Sequence, residues 1–148
     1  MIDYFDASAI AAILLPEASS EAVAALVDTS VADIHVSEFS IAETSSAVSR
    51  LFRMKQHSRD EAERLFQDID KWVEATALLV DVQNSDFARA TDLVRELDLK
   101  LRAPDALHLA IAQRLDARLV TLDRNLAAAA LAVGATVHNP AEADAPGA

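Results

Sequence analysis

Residues 2–15, IDYFDASAIAAILL, join a short run of strand-forming residues to an alanine-rich helical segment. The strand formers Ile2–Phe5 end at Asp6, and the helical segment has to stop before Pro16, because a residue that precedes proline disfavours helical geometry. A strand followed directly by a helix is the building unit of a parallel sheet. This opening therefore predicts the α/β class.

The rest of the chain repeats this alternation of short strands and helices. It contains no internal repeat and no low-complexity linker, so the 148 residues are expected to form one domain. The alternation predicts a three-layer α/β/α sandwich, whose central and mainly parallel sheet has four to five short strands. The domain is predicted to span residues 1–139, and residues 140–148 to form a flexible tail. Further strands are predicted at 34–36, 77–82, 118–122 and 136–137, and helices at about 19–28, 39–56, 59–76, 85–97, 104–115 and 126–133.

Local signals predict several helix ends. Ser58 lies shortly before a run of acids, so its hydroxyl is suited to cap the exposed amides of the next helix. Pro104 suits a first helical turn, where a missing N–H is tolerated, and Gly134 is typical of a helix C-cap. The helix that Pro104 opens, with the sequence DALHLAIAQRL, is apolar almost all round and should be central and buried.

Composition excludes several classes of protein. The chain has no cysteine, which rules out thiol catalysis, thiolate zinc sites and iron–sulfur clusters. Its two glycines are too few for the loops that cradle phosphates in nucleotide-binding folds, so no nucleotide cofactor is expected. No apolar run approaches the length of a membrane span, and the first ten residues lack the pattern of a signal peptide. We therefore expect a cytoplasmic protein without membrane contact.

Four carboxylates fall at or near the ends of predicted strands, where parallel sheets bind their ligands. They are Asp6, Glu43, Asp105 and Asp123. Each also has a purely structural interpretation. Asp6 and Asp123 could be helix N-caps, and Asp105 could be the partner of a helix dipole. Glu43 could be the far member of a capping box with Ser40.

Convergence of these carboxylates in one place would require a counter-charge. Two carboxylates about 5 Å apart repel by roughly 3 kcal/mol at an effective dielectric constant of about 20, so protonation or a cation has to relieve the repulsion. Oxygen ligands without cysteine or clustered histidine favour Mg²⁺ or Mn²⁺ over Zn²⁺ or Cu²⁺. A hydrated hard cation polarises water for attack on a phosphodiester and neutralises charge on the phosphate. The pattern therefore indicates metal-dependent hydrolysis.

Four segments carry a resemblance to a known family: YFDASAI at 4–10, SEFSIAE at 37–43, RAPDALHLAIA at 102–112 and LVTLD at 119–123. In order and spacing they resemble the PIN domain, and within it the VapC-type ribonuclease toxins of bacterial toxin–antitoxin operons. The resemblance covers positions 2 to about 138. It implies an endoribonuclease that depends on Mg²⁺, with Mn²⁺ as a substitute, and that often acts on tRNA or rRNA. It also implies a homodimer held inactive by a small antitoxin.

The resemblance assigns a role to each of the four acids. Asp6 and Asp105 would be the main metal ligands, and Asp123 would complete the metal shell directly or through water. Glu43 would orient or deprotonate the attacking water, and it counts with the other three as catalytic and metal-associated.

Three further residues of the same segments have supporting roles by this resemblance or by their surroundings. Ser8 and Thr121 would hydrogen-bond a metal-bound water or a substrate phosphate. His108 is interpreted as a packing or supporting residue rather than a metal ligand, because its helix is apolar and the other candidate ligands are all oxygen atoms.

A formal net charge of −11 and a pI near 4.6 give this chain no general positive field, so RNA would need a confined basic patch. The segment from Thr44 to Arg59 contains no acid and is the first candidate, although it could equally be the solvated end of a helical hairpin. The second candidate is Arg102, which precedes the buried helix and could instead form a salt bridge within the protein. The candidate RNA-binding residues are Arg50, Arg53, Lys55, Arg59 and Arg102, with His57 joining them at lower pH.

Apolar residues on the third and fourth predicted helices could form a groove for a partner helix or could be buried within the domain. Sequence alone favours burial. The resemblance favours the groove, because in that family antitoxin segments commonly wrap this region and place an arginine among the carboxylates. Trp72 indicates packing in the core or an interface rather than a base-stacking platform. The apolar residues concerned are Leu51, Phe52, Leu65, Phe66 and Ile69.

Other acidic α/β classes fit less well. A two-component receiver domain needs an acidic pair around its first strand and a lysine near a later strand end, and neither is visible. A phosphatase of the haloacid dehalogenase type uses D-x-D, whereas residues 6–8 are D-A-S and lack the second carboxylate. Two alternatives stay open: a catalytically inactive PIN scaffold that binds RNA or a protein partner, and a PIN-like nuclease that acts on DNA.

Overall fold

A sheet of five short strands forms the centre of the protein in the computed structural model, which describes residues 1–143. The strands are β1 (Ile2–Phe5), β2 (Asp33–Ser37), β3 (Leu78–Val80), β4 (Arg118–Val120) and β5 (Val137–His138). Their order is β3-β2-β1-β4-β5, and every neighbouring pair is parallel. The predicted parallel sheet is confirmed.

Helices connect the strands and cover both faces of the sheet. They are α1 (Ala7–Leu14), α2 (Ser20–Thr29), α3 (Glu38–Arg53), α4 (Arg59–Thr76), α5 (Asn84–Arg95), α6 (Ala103–Arg114), α7 (Arg124–Ala132) and α8 (Pro140–Ala143). Helices α1 to α4 contribute to the apolar cluster around Phe5 and Val36, and α5, α6 and α7 to the cluster around Tyr4 and Leu119. The three-layer sandwich is therefore confirmed.

Strand β1 is central because both of its faces are apolar. Tyr4 and Phe5 are fully buried, and consecutive strand residues point to opposite faces, so each anchors one helical layer. On one face lies α6, in which residues 106–112 are all buried. The prediction of a central, buried helix after Pro104 is confirmed.

Two predicted helix caps are present. The Ser58 hydroxyl accepts a hydrogen bond from the Glu61 amide at 3.1 Å and so caps α4. Gly134 follows α7 with a φ of 77°, a left-handed conformation that glycine adopts without steric cost, and its amide donates to the Leu131 carbonyl.

Some element boundaries differ from the predicted ones. The strand predicted at 77–82 is limited to Leu78–Val80, because it is an edge strand that pairs only with His35–Ser37 of β2. The helix predicted at 85–97 ends at Arg95, and a separate 3₁₀ turn follows at Leu97–Leu99.

The first four residues of the predicted tail are helical. Residues Pro140–Ala143 form the short helix α8, since the Asn139 side chain accepts a hydrogen bond from the Ala141 amide and Pro140 fits the first turn. Helix α8 contacts α2. The rest of the predicted tail, 144–148, lies outside the described residues.

The apolar residues named on α3 and α4 are buried to different extents: Ile69 is buried, and Leu51, Leu65 and Phe66 are partly buried. Leu65, Phe66 and Ile69 belong to a cluster that also includes Leu14 of α1, while Phe52 remains 38% exposed. Trp72 packs against Phe5 with 6.2 Å between the ring centroids, which confirms a core position. Within residues 1–143, no helix is both long and apolar enough to span a bilayer.

Candidate active site

Three helix N-termini meet at the carboxyl edge of the sheet, and each carries one of the predicted acids. Asp6 is the N-cap of α1, Asp123 is the N-cap of α7, and Asp105 lies in the first turn of α6. The positive end of a helix dipole favours a negative charge, so the helices help these carboxylates to remain ionised. The structural interpretations of the three aspartates are therefore confirmed.

Glu43 lies inside α3, and its predicted capping box with Ser40 is wrong. The N-cap is Ser37, whose hydroxyl accepts a hydrogen bond from the Ser40 amide at 3.1 Å. The Glu43 side chain is 32% exposed, and its Oε1 lies 2.5 Å from Nε2 of His108. Glu43 is thus held by a side chain of α6 rather than by the start of its own helix.

A cavity of about 520 Å³ is lined by three of the four acids. Glu43, Asp105 and Asp123 contribute carboxylates to its wall, and Asp6 is 4% exposed nearby. Burial raises the pKa of Asp105, and the negative charges of Asp123, Asp6 and Glu43 raise it further. Acids from four distant parts of the chain therefore influence one another electrostatically.

Asp6 is the most rigidly held of the four acids. Its Oδ1 accepts hydrogen bonds from the Ser8 hydroxyl at 2.6 Å and the Ala9 amide at 3.1 Å, and its Oδ2 accepts from the Thr121 hydroxyl at 2.5 Å. Burial raises the pKa of Asp6, and the His108 charge and these hydrogen bonds act in the opposite direction.

The two hydroxyls predicted to contact a metal-bound water or a phosphate instead bind Asp6. Thr121 is fully buried, and its hydroxyl donates to Asp6 Oδ2 and accepts from the Asp123 amide at 3.1 Å. Ser8 donates to Asp6 and accepts from the Leu122 amide at 2.9 Å. Both hydroxyls thus fix an acid.

A buried chain of hydrogen bonds lies behind Glu43. His108 is 1% exposed, and its Nδ1 lies 2.9 Å from the Tyr4 hydroxyl. The Tyr4 oxygen also lies 2.8 Å from Ser37 Oγ and 3.1 Å from Ser40 Oγ. Burial raises the pKa of Tyr4 to about 12, so its hydroxyl stays protonated at physiological pH. His108 supports an acid, in agreement with its interpretation from the sequence.

The donor set suits a hard divalent cation in its chemistry. All four acids offer oxygen, which Mg²⁺ and Mn²⁺ prefer, and the raised pKa of Asp105 indicates carboxylates that lack a counter-charge. Among residues 1–143, however, no three acidic or histidine side chains are close enough to hold a metal ion in their present conformations. The Asp6 and Glu43 carboxylates bind protein donors instead.

The predicted basic residues fall in two places. Arg102 and the neighbouring Lys100 line the carboxylate cavity, and neither has a carboxylate within 4.0 Å in the described part of the chain. The others lie at the far end of the α3–α4 hairpin. Arg50 is seven residues beyond Glu43, which is about 10 Å along a helix. The hairpin residues are Arg50, Arg53, Lys55 and Arg59.

Two of the hairpin cations, Arg53 and Arg59, have local partners, and so does the neighbouring His57. Arg53 donates to Ser49 Oγ at 2.8 Å, and the Arg59 guanidinium lies 5.3 Å from the centre of the Phe52 ring. His57 Nδ1 is 2.8 Å from Glu61. The structure thus brings Arg102 to the acids and leaves the hairpin group at a separate surface.

Lys100, Asn125 and Tyr4 were not predicted to belong to the site. Lys100 has a φ of 57°, and its carbonyl accepts a hydrogen bond from Asn125 Nδ2 at 2.9 Å, so Asn125 fixes the backbone that carries the lysine. The proximity of Lys100 to Arg102 in sequence was an available signal. Tyr4 gave no such signal, because its pattern is that of a buried strand residue.

A family model identifies the class of this domain. Residues 4–131 match the PIN domain, and this span contains all four acids. The chain therefore belongs to the PIN domain family, and the resemblance carried by the four sequence segments is confirmed. The comparison with curated protein sequences finds no match.

Solved structures share the fold along most of the chain. FitAcB from Neisseria gonorrhoeae has a TM-score of 0.73 at 20% identity, over 95% of this chain and 98% of that chain. VapC20 from Mycobacterium tuberculosis, described as a sarcin-ricin loop cleaving toxin, has a TM-score of 0.68 at 16% identity, over 86% and 94%. A toxin–antitoxin complex from Klebsiella pneumoniae has a TM-score of 0.66 at 16% identity, over 93% and 97%. At these identities the likeness is one of fold.

Proposed function

We propose that this protein is a Mg²⁺-dependent endoribonuclease and the toxin of a toxin–antitoxin pair that inhibits translation. The observation that carries the proposal is the cavity lined by Glu43, Asp105 and Asp123 beside the buried Asp6, at the carboxyl edge of a PIN-domain sheet. The structural likeness to a toxin that cleaves the sarcin-ricin loop supports RNA as the substrate class.

The four acids would have two different functions, cation binding and activation of the attacking water. Asp6, Asp105 and Asp123 would hold the cation, with Asp6 fixed by three donors and Asp123 by one, the Leu126 amide at 2.9 Å. Bound Mg²⁺, or Mn²⁺ in its place, polarises water and neutralises charge on the phosphate. Glu43 would orient the attacking water or accept its proton.

Lys100 and Arg102 would bind RNA phosphates next to the cleaved bond. They are cations on the wall of the same cavity, and no carboxylate within residues 1–143 pairs with them at 4.0 Å or less. Arg50, Arg53, Lys55 and Arg59 would contact a more distant part of the RNA, since they lie at the other end of α3.

The proposal includes a small antitoxin protein, a homodimer and action in the cytoplasm. The toxin–antitoxin complex with the same fold supports the antitoxin. A cavity of about 220 Å³ between α3 and α4, lined in part by the exposed Phe52, supports a docking place on this hairpin. The antitoxin is expected to suppress cleavage when it is added in equimolar amount.

Cleavage of RNA by the purified protein tests the proposed function. Wild-type protein should cut RNA with Mg²⁺ or Mn²⁺ and not with EDTA. Asp105→Asn should lower the rate at least 100-fold, because a neutral amide is a poor ligand for a hard cation. Asp92→Asn, which changes an exposed acid on α5, is the matched control and should keep full activity.

Three results would contradict this assignment. Undiminished cleavage by Asp105→Asn would remove the acid from the site. Binding of RNA without any cleavage would favour the inactive scaffold. Cleavage of single-stranded DNA in preference to RNA would favour the DNA nuclease.

The salt dependence of RNA binding tests the two basic surfaces separately. In the Asp105→Asn background, the double change Lys100→Ala with Arg102→Ala should weaken the binding of a short RNA. The salt slope, which is the slope of log K against log salt concentration, should become shallower by the amount expected for about two lost phosphate contacts. Arg50→Ala with Arg53→Ala is the matched double variant and should weaken only longer RNAs. An unchanged salt slope in the first double variant would reject the cavity cations as phosphate ligands.

A further inference from the structure

Within the described residues, a buried hydrogen-bond chain ends at the partly exposed side chain of Glu43, which is 32% exposed. The chain begins at the Phe5 carbonyl, which accepts from the Ser40 hydroxyl at 3.0 Å. Ser40 and Ser37 contact the Tyr4 oxygen, Tyr4 contacts His108, and His108 contacts Glu43. Every member before Glu43 is at most 1% exposed.

The donors and acceptors of this chain can all be satisfied within the chain itself. The Glu43 carboxylate accepts, so Nε2 of His108 carries the proton at this 2.5 Å contact. Nδ1 of the same ring lies 2.9 Å from the Tyr4 oxygen, which can donate to a neutral ring or accept from a protonated one. Ser37 can donate to Tyr4, because the Ser40 hydroxyl is directed to the Phe5 carbonyl.

Packing fixes the imidazole ring as well as its hydrogen bonds. The Phe39 ring centroid lies 5.0 Å from that of His108, and the Tyr4 ring lies 5.8 Å away. The ring is therefore held by β1, by the start of α3 and by its own helix α6. Glu43, in contrast, has a long flexible side chain, and among residues 1–143 its hydrogen-bond partner is His108.

We propose that Tyr4 and His108 are positioning residues that hold the Glu43 carboxylate in its active orientation, an inference that rests on the proposed function. A network that served only to join β1, α3 and α6 would have no need to end at a carboxylate on the wall of the cavity. His108 acts through Glu43, and Tyr4 acts through His108. Partners of this kind typically change activity 10- to 100-fold when they are removed.

A double-mutant cycle tests the positioning role. Tyr4→Phe, which removes one oxygen, should lower kcat about tenfold and leave the KM for RNA unchanged. In the Glu43→Gln background, measured under single-turnover conditions, Tyr4→Phe should cause no further loss, because the carboxylate that it positions is gone. An equal loss in both backgrounds, or a kcat of Tyr4→Phe within twofold of wild type, would overturn the proposal.

Variants of His108 give a rescue test. His108→Gln keeps a donor that can reach Glu43, whereas His108→Leu keeps none, so kcat should fall in the order wild type, His108→Gln, His108→Leu. Equal kcat values for the two variants, with both folded by thermal unfolding, would contradict the role. If either His108 variant fails to fold, the positioning role is judged from the double-mutant cycle of Tyr4→Phe and Glu43→Gln.

Proton NMR of the metal-free protein tests the same chain without cleavage. The Nε2 proton of His108 should appear as a protected downfield signal that disappears in Glu43→Gln. In Tyr4→Phe its exchange with water should be at least tenfold faster, because the ring has lost its second hydrogen bond. Unchanged exchange would overturn the role of Tyr4. Absence of RNA cleavage by wild-type protein would instead count against the proposed function, with these signals still interpretable.

Discussion

Asp105 carries an unfavourable charge in the metal-free protein. Burial, and next the charge of Asp123, raise its pKa above the ordinary value of 3.8. The folded state therefore binds a proton on this group more tightly than the unfolded state does. The stabilisation that the protonated Asp105 contributes is fully present at a pH below the ordinary pKa. It is lost as the pH rises through the raised pKa of the folded state. At neutral pH the ionised carboxylate thus lowers the free energy of unfolding.

Asp105→Asn should consequently stabilise the protein at pH 7 in EDTA. We expect Tm to rise by about 2–4 °C, or about 1 kcal/mol for a chain of this size, after part of the gain is offset by the lost interaction with the α6 dipole. The difference from wild type should narrow as the pH falls toward 4. Thermal unfolding at several pH values measures this, with Asp92→Asn as the control. A lower Tm for Asp105→Asn at pH 7 would contradict the electrostatic argument.

Residue types and spacing predicted that four acids lie near one another, but not which side chains hold them. Asp6, Glu43, Asp105 and Asp123 stand out because each lies at or near a predicted strand end. The hydrogen bond between Tyr4 and His108 joins residues 104 positions apart, and it depends on how α6 packs against β1. No local pattern encodes that packing, so the network behind Glu43 could not be predicted.

At the level of elements, β1 and β4 are joined by a buried ion pair away from the carboxylates. Arg118 of β4 donates to both oxygens of Asp3 at 2.8 and 2.9 Å, and the two residues are register partners. The Asp3 side chain is fully buried, and that of Arg118 is 25% exposed. Asp3 depends on Arg118 for its counter-charge, since burying a lone carboxylate is costly.

Removal of the arginine should therefore destabilise the central strand pair. Arg118→Ala is expected to lower the free energy of unfolding by about 3 kcal/mol, because it leaves a buried charge without its partner. Urea unfolding measures the change. Arg118→Ala with Asp3→Ala is the matched control and should lose less than Arg118→Ala alone. Equal stability of Arg118→Ala and wild type would show that Asp3 is neutralised in another way.

The elements themselves were predicted most accurately where local signals mark both ends. The bounds of β1 and α4 agree with the prediction, since Asp6 ends the strand and Ser58 caps the helix. The strand order could not be predicted, because it depends on which helices cross the sheet on each side. Edge strand β3 was predicted too long for the same reason, as its length depends on its neighbour β2.

For the whole molecule, a net charge of −11 makes two effects of Mg²⁺ distinguishable. Any salt screens the self-repulsion of so many charges and stabilises the fold in a general way. A cation that binds the folded state alone adds a specific stabilisation, which is about 2.7 kcal/mol at a concentration 100 times its Kd. The specific stabilisation would come from a cation bound in the carboxylate cavity, and the general stabilisation from screening of charges on the protein surface.

Mg²⁺ should therefore raise the Tm of wild-type protein by about 5–10 °C at saturation, beyond the effect of KCl at the same ionic strength. Asp105→Asn, which starts from the higher Tm in EDTA, should gain no more from Mg²⁺ than from KCl, so the order of the two proteins should reverse when the metal is added. Thermal unfolding of both proteins in EDTA, KCl and MgCl₂ measures this reversal. An identical response of wild-type protein to KCl and MgCl₂ would mean that the acids lining the cavity hold no cation, and the hydrolytic role proposed for them would fail with it.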